Sequence, residues 1–597
     1  MKYQTVLAGI FWFAAADLAA CVQSDGGGRT TTSGDAGGNA SGGTTASGGT
    51  TGSGGKAAGG TTASGGTASG GTTASGGVAG GSSGGTGFGG SGSGSVIPTG
   101  GATGGAAGTG GAATGGTRTT GGTSGTSTSV PLVVDKPSTD TTWSQGLKTG
   151  ANGPIPWIVV DQFGYRTAAQ KVAVIRSPQT GYDTAAAFTP GTKYSVVSKA
   201  TGQSVKDGAP VAWNSGATDT SSGDKIWWFD FSDVTAPGTY TVVDNDKNVR
   251  SVEFEIDDNV YRSVLKHAVR TYYYQRAGIA KTAAHAGADW TDGVCLMGEG
   301  QDSEAHAWLA KTDETQVRDL RGGWFDAGDT NRYTAWASGT VITLLHAFEE
   351  NPSAFGDDYG IPESGNGIPD LLDEIKYSID WVVRMQNSDG SLLCILGSDA
   401  ASPISAATKP SYYGPPTTNA SLAAAAMFAY ASKIYGGRSE SSLKTFAADL
   451  KSRATKAWTW ASANPSVIYH NNDDSKQPGS GGLGAGNQEV DDSGRLHSKF
   501  LAAVHLFDIT SEDTYKSFAE SNWNKVLPSG PSEWEMERAD AVMHLAQLPG
   551  VTASVASAIT SQVTTNVGNQ LSAVTSSKDP YRAYLKDYTW GSNQIKA

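Results

Sequence analysis

Between Asp25 and Ser129 the chain is almost wholly glycine, serine, threonine and alanine, with Thr-Thr-Ala-Ser-Gly-Gly recurring at 44–49, 61–66 and 72–77. Such a stretch has almost no large apolar side chain to bury, so nothing offsets the entropy lost on ordering it. It predicts a flexible tether and confines packed structure to the residues beyond it. A domain count made from all 597 residues would therefore be too high.

Ahead of the tether, Lys2 is followed by an apolar run from Val6 to Ala20. The run is too short to span a bilayer and predicts an export signal. It ends in Leu18-Ala19-Ala20-Cys21, which resembles the bacterial lipobox, in which the cysteine is lipidated and becomes the mature N-terminus. A plain secretory signal is the alternative, and both readings place the protein outside the cytoplasm. Membrane association is expected only through that anchor, with the tether letting the folded part search a surface away from it. The other cysteines, Cys295 and Cys394, make neither a disulfide framework nor a Cys-x-x-Cys metal pair. The formal net charge of −13 excludes a nucleic-acid partner, because little here would neutralise phosphates. A neutral polysaccharide needs no basic cleft. The 16 Trp and 21 Tyr fill cores, and could also offer flat faces to sugars.

Order is expected from Pro154. Trp157 to Val160, Lys171 to Ile175, Tyr194 to Val197, Ile226 to Phe231, Tyr240 to Val243 and Val252 to Ile256 are short β-branched or aromatic runs, separated by turn residues. They predict a β-sandwich over 154–257, with the linker occupying 22–153 and the export signal 1–21. No cluster of ionisable groups is visible among these runs, so the sandwich reads as a support or docking module. From 258 to 597 the pattern becomes helical. Tyr261 to Tyr274, Thr334 to Glu350, Ile368 to Asn387, Asn419 to Tyr435, Ser442 to Ala461, His497 to Phe507 and Arg538 to Gln547 carry apolar residues at three- and four-residue spacing. They predict an all-α domain of helical hairpins.

The chemistry concentrates in Gly322-Gly323-Trp324-Phe325-Asp326-Ala327-Gly328-Asp329, followed by Thr330-Asn331-Arg332-Tyr333. Two carboxylates three residues apart in a glycine-rich turn suit water activation, one taking the proton while the other orients the water. Taken alone, Asp-x-x-Asp would equally cap a loop or bind calcium. It is followed by Ile361-Pro362-Glu363-Ser364-Gly365-Asn366-Gly367-Ile368-Pro369-Asp370-Leu371-Leu372-Asp373-Glu374, by Trp381, and by Met385-Gln386-Asn387-Ser388-Asp389-Gly390-Ser391.

This combination closely resembles glycoside hydrolase family 9, the cellulase family with an (α/α)6 barrel. Val160-Asp161-Gln162-Phe163-Gly164-Tyr165, Lys171-Val172-Ala173, Ala236-Pro237-Gly238-Thr239-Tyr240 and Tyr588-Thr589-Trp590-Gly591-Ser592-Asn593 resemble the branch with an N-terminal Ig-like domain. The resemblance covers about residues 155–597. It implies an enzyme that hydrolyses β-1,4-glucan with inversion, Asp329 as general base and Asp326 holding the water. Trp324, Tyr333 and Trp590 are the substrate-binding candidates. The family's general acid is a Glu after the Trp-Gly-Ser-Asn segment; the chain stops at Ala597, so on this reading the barrel is C-terminally incomplete and the acid lies further on. Glu535 and Glu537 are the best late glutamates present, but they precede that position.

The resemblance also bears on metals. The positions matched to the zinc ligands of many relatives are Ala277, Cys295, Leu296 and Arg332, one donor where four are needed, so no zinc is expected. A calcium-binding Asp-Glu pair of other relatives falls near His497-Ser498; Asp491 and Asp492 read as a solvated acidic loop. Cys394 stands where relatives often place a His, which bears on the substrate more than the reaction. His306 and His346 read as structural. The alternatives are a hydrolase of another β-glycan such as chitosan oligosaccharides, a non-catalytic glycan-binding surface lipoprotein, or a structural surface protein.

Overall fold

The structure, a computed structural model, describes residues 148–150, 153–479, 483, 486–528, 536–576 and 579–582. The expected export signal with Cys21, the tether, Glu535 and Trp590 lie outside the described residues. A short hairpin of β1 (Lys148–Gly150) and β2 (Gly153–Ile155) straddles the expected boundary between linker and sandwich.

The sandwich comes next along the chain. One sheet contains β3 (Ile158–Val159), β4 (Val172–Pro178), β7 (Val211–Ala212) and β8 (Asp224–Asp230), in the order β3-β4-β8-β7. The other contains β5 (Tyr194–Ser198), β6 (Ser204–Gly208), β9 (Gly238–Asp244) and β10 (Val249–Arg250), in the order β10-β9-β5-β6, with β11 (Phe254–Ile256) also on β9. All these pairings are antiparallel. The period of two sends Tyr194 and Val196, Tyr240 and Val242, and Phe254 and Ile256 inward, where they meet Ile158, Ala173, Ile175 and Phe229.

Strand β4 is buried along nearly its whole length. On it, Arg176 bonds Asp183 at 2.6 Å and Asp224 at 2.8 Å, all three side chains being buried. The sandwich therefore does hold an ionisable cluster, correcting the sequence reading. Its charges pair with one another.

The second domain is helical: α1 (Arg262–Gln275), α2 (Thr334–Glu350), α3 (Asp370–Met385), α4 (Thr418–Gly436), α5 (Ser441–Ala463), α6 (Asp492–Thr510), α7 (Asp513–Val526), α8 (Met536–Gln547) and α9 (Ala553–Ser576). Thr417 caps α4 by accepting the Ala420 N–H. That helix is buried almost all round, as its Ala-rich composition allows, and packs against α2, α5 and α6. Helices α7 and α9 were not expected from the sequence.

A small sheet is set into the helical domain. Strands β12 (His306–Ala307), β13 (Arg332–Tyr333), β14 (Ile395–Gly397) and β15 (Tyr412–Tyr413) run in the order β12-β15-β14-β13. It gathers four distant segments beside the start of α2, and β13 leads directly out of the loop that carries Asp326 and Asp329.

Candidate active site

The loop takes its shape from its glycines. Gly322 and Gly323 have φ of +98° and +79°, where a side chain is strained. A Cβ on Gly323 would also fall 2.7 Å from Cγ of the buried Trp381. The following residues can therefore run back along the end of α1, with Ala277 N–H donating to Gly323 O and Phe325 N–H to Gln275 O, both at 2.9 Å. Asp326 N–H then donates to Asn331 O at 3.0 Å and closes the loop. Thr330 sits at φ +60°, a conformation costing a β-branched residue on the order of 1–3 kcal/mol. Its hydroxyl donates to Asp399 O at 2.9 Å, which helps hold it there.

Asp329 is partly exposed, and its carboxylate is aimed by its neighbours. Oδ2 accepts from Asn331 Nδ2 at 2.7 Å and from the Tyr333 hydroxyl at 3.2 Å; Oδ1 accepts from Asn331 N–H at 3.2 Å. The Tyr333 hydroxyl in turn accepts the Gly486 N–H at 2.7 Å. Burial, and then the charge of Asp329, push the Tyr333 phenol up, so it remains a neutral donor. Asp326 is also partly exposed and stands at the start of the same closed loop.

Beneath the loop lies an ion pair with no solvent exposure on either side chain: Arg332 Nη1 is 2.6 Å from Asp302 Oδ2. Arg332 also donates to Gly322 O at 2.8 Å and to Ser398 Oγ at 2.6 Å. Asp302 Oδ1 accepts from the hydroxyls of Ser398 and Ser411 at 3.0 and 2.6 Å. One ion pair thus ties the glycine turn, β13 and the segments beside β14 and β15 together.

The Ile361–Glu374 motif supplies framework. Arg276 is clamped by Glu363 at 2.9 Å through both terminal nitrogens and by Glu374 at 3.0 Å. Asp370 is fully buried and accepts the Tyr359 N–H and the Ser364 hydroxyl; burial outweighs these bonds and pushes it up to about 6.

Two of the three expected substrate-binding aromatics have other surroundings. Trp324 is 6 % exposed, packs against Tyr272 at 4.6 Å and donates to Glu374 at 3.3 Å. Tyr333 is 1 % exposed and meets the site through its hydroxyl, not its face. Among the described residues, an aromatic that does reach solvent beside Tyr333 is Trp336, 42 % exposed in the first turn of α2, with its ring 4.4 Å from that of Tyr333. The sequence does not single it out, although it follows Tyr333 by only three residues at the junction of β13 and α2.

At the positions matched to zinc ligands, Ala277, Cys295 and Leu296 pack with Phe325 and Ala407 in one buried apolar cluster. The fourth, Arg332, lies 5.8 Å over the Phe325 ring and is committed to Asp302. Two alkyl side chains, one thiol and a guanidinium do not fit zinc. Asp491 caps α6 by accepting the Gly494 N–H at 2.8 Å, and Asp492 pairs with Arg495. Cys394 is buried, its thiol pushed up by burial. His346 lies 3.9 Å from Asp540, and His306 belongs to β12. Glu537 reaches Gly339 of α2 from the first turn of α8.

The sequence profile of glycosyl hydrolase family 9 matches residues 261–597, more than half of the chain. The chain belongs to that family. The profile of the cellulase N-terminal Ig-like domain matches residues 154–248, and the helical domain is of the family's (α/α)6 type. A cellulose 1,4-beta-cellobiosidase of Acetivibrio thermocellus is 27% identical over 399 residues, 61% of this chain and 42% of the relative. A xyloglucan-specific endo-beta-1,4-glucanase of Bacteroides ovatus is 27% identical over 416 residues, 64% of this chain and 65% of the relative. A metagenome-derived family 9 endoglucanase of solved structure is 27% identical, with a TM-score of 0.58 over 71% of this chain and 74% of that one. The chain spans less than half the length of the cellobiosidase.

Proposed function

We propose that this family 9 chain hydrolyses β-1,4-linked glucan with inversion at the anomeric carbon, with Asp329 as general base and Asp326 orienting the water. The observation that carries the proposal is the aimed carboxylate of Asp329. Asn331 and Tyr333 fix its plane, while its partial exposure leaves acceptor capacity for a water. A carboxylate so held can accept a proton from water attacking the sugar face opposite the leaving group. The general acid would stand about 6.5–9.5 Å away, the gap a water requires.

Release of reducing sugar from soluble β-1,4-glucan, mixed-linkage glucan, xyloglucan and chitosan tests the reaction and ranks the substrates. Xyloglucan belongs in the set because one relative is specific for it. Asp329→Asn is expected to lower kcat at least about a hundredfold. An unchanged rate refutes the role of Asp329.

The proposal extends to location: export with Cys21 as lipid anchor. Incorporation of labelled palmitate into the natural chain, and its loss in Cys21→Ser, is the expected result; secretion of unlabelled protein contradicts the anchor.

A further inference from the structure

Trp336 is the large exposed aromatic side chain beside the Asp329 loop, and its setting separates it from an ordinary surface tryptophan. Single exposed aromatics are common and by themselves carry no meaning. This one is held on two sides. The Tyr333 ring lies 4.4 Å away at an interplanar angle of 47°. The backbone of Gly486 closes on its edge so tightly that a Cβ there would fall 2.4 Å from Cη2 and 2.6 Å from Cζ3 of the indole. The same Gly486 donates its N–H to the Tyr333 hydroxyl, and that hydroxyl donates to Asp329. One short chain of contacts therefore fixes both the orientation of the indole and the aim of the carboxylate. Even so, 42 % of Trp336 remains open to solvent.

We propose that Trp336 is a stacking platform for a pyranose ring of the glucan adjoining the bond that faces Asp329, a position that rests on the functional reading above. The axial C–H groups of a β-linked glucose form an apolar face that complements the π face of an indole. Because the ring is already immobilised by Tyr333 and Gly486, little side-chain freedom is lost when the sugar settles on it. The part of the indole that stays open to solvent is the side offered to the ligand. Gly486 is in consequence a residue that must stay glycine: any side chain there displaces the indole.

The experiment is calorimetric titration of the full chain, in the Asp329→Asn background to prevent turnover, with a soluble β-1,4-gluco-oligosaccharide. Trp336→Ala is expected to weaken Kd about three- to tenfold. Trp336→Phe should recover part of the loss, whereas Trp336→Leu, which fills space without a π face, should recover none. Thermal midpoints of the three variants identify any that fails to fold, and Trp336→Phe keeps the comparison open in that case. Equal affinity in Trp336→Ala, or full recovery by Leu, overturns the platform and leaves the functional reading standing. Absence of binding in every protein, the Asp329→Asn parent included, overturns both.

Discussion

At the scale of the residue, the site is organised by what lies under it. Arg332 and Asp302 are both without solvent exposure, and each also bonds the segments around the loop. Breaking such a pair leaves a buried charge alone, which costs about 3–5 kcal/mol. Arg332→Met is therefore expected to lower the stability measured by chemical unfolding by that amount. Adding Asp302→Asn should restore part of it, since the orphaned charge is then gone; no recovery in the double variant would contradict the pairing. The sharp turn that carries the two aspartates was legible in the sequence because paired glycines mark such a turn, while the roles given to them come from the family resemblance. The aromatic roles were not. Trp324 and Tyr333 look like sugar-binding residues in one dimension, but nothing in composition says which aromatic the core will take. Trp336 was hidden for the converse reason: at the start of an apolar helix it looks like core.

At the scale of the element, four helices meet around a polar cluster that the sequence did not announce. His346 and Glu349 come from α2, Tyr430 and Lys433 from α4, His505 and Asp508 from α6, and Asp540 and His544 from α8. His505 stacks on Tyr430 at 4.3 Å, and neither of its ring nitrogens has a hydrogen-bond partner among the described residues. Burial, and then His544, push His505 well below its ordinary value of 6.5. Burial works to raise Asp508 as well, but His544 and Lys433 together hold it down to about 2. The unfolded chain therefore takes up a proton at His505 below 6.5 that the folded chain refuses, and stability falls as the pH drops through that value. Burial raises Asp373 to about 7, which works in the opposite direction between its unfolded value and that pH. His505→Phe isolates the first effect. The stability of the natural protein should fall relative to the variant as the pH drops below 6.5. Parallel curves would show that His505 does not carry the change. Most helices were readable to within a few residues because their apolar periodicity is strong. Helix α7 was not, since Ser517, Glu520, Ser521, Asn522 and Asn524 dilute its stripe. Helix α9 was missed because its many Thr, Val and Ser residues have low helix propensity, and neighbouring α8 and α7 hold it.

At the scale of the whole molecule, the sandwich is joined to the far end of the described helical domain. Trp228 Nε1 donates to Pro580 O at 2.7 Å, Tyr581 bonds Asp224, and Arg582 donates to Gln170 at 2.5 Å. These contacts cover the sheet face that carries Arg176, which explains why β4 is buried on both sides. Trp228→Ala is expected to uncouple the two domains. Calorimetry should then resolve two transitions where the natural protein shows one, and a single unaltered transition would contradict the coupling. The order of the domains was legible because turn-punctuated strands and long helical periods do not overlap along the chain. The join was not, because hydrogen bonds between residues 352 and 357 positions apart leave no local pattern.

That separation has a consequence during synthesis. At about 5–20 residues per second, the ribosome needs roughly 20–70 s after making Asp224 before Tyr581 exists to cover it. Throughout that interval the nascent sandwich presents a sheet face with its arginine and aspartates only partly sheltered. Completion of the sandwich thus waits on residues that are made only after the described helices.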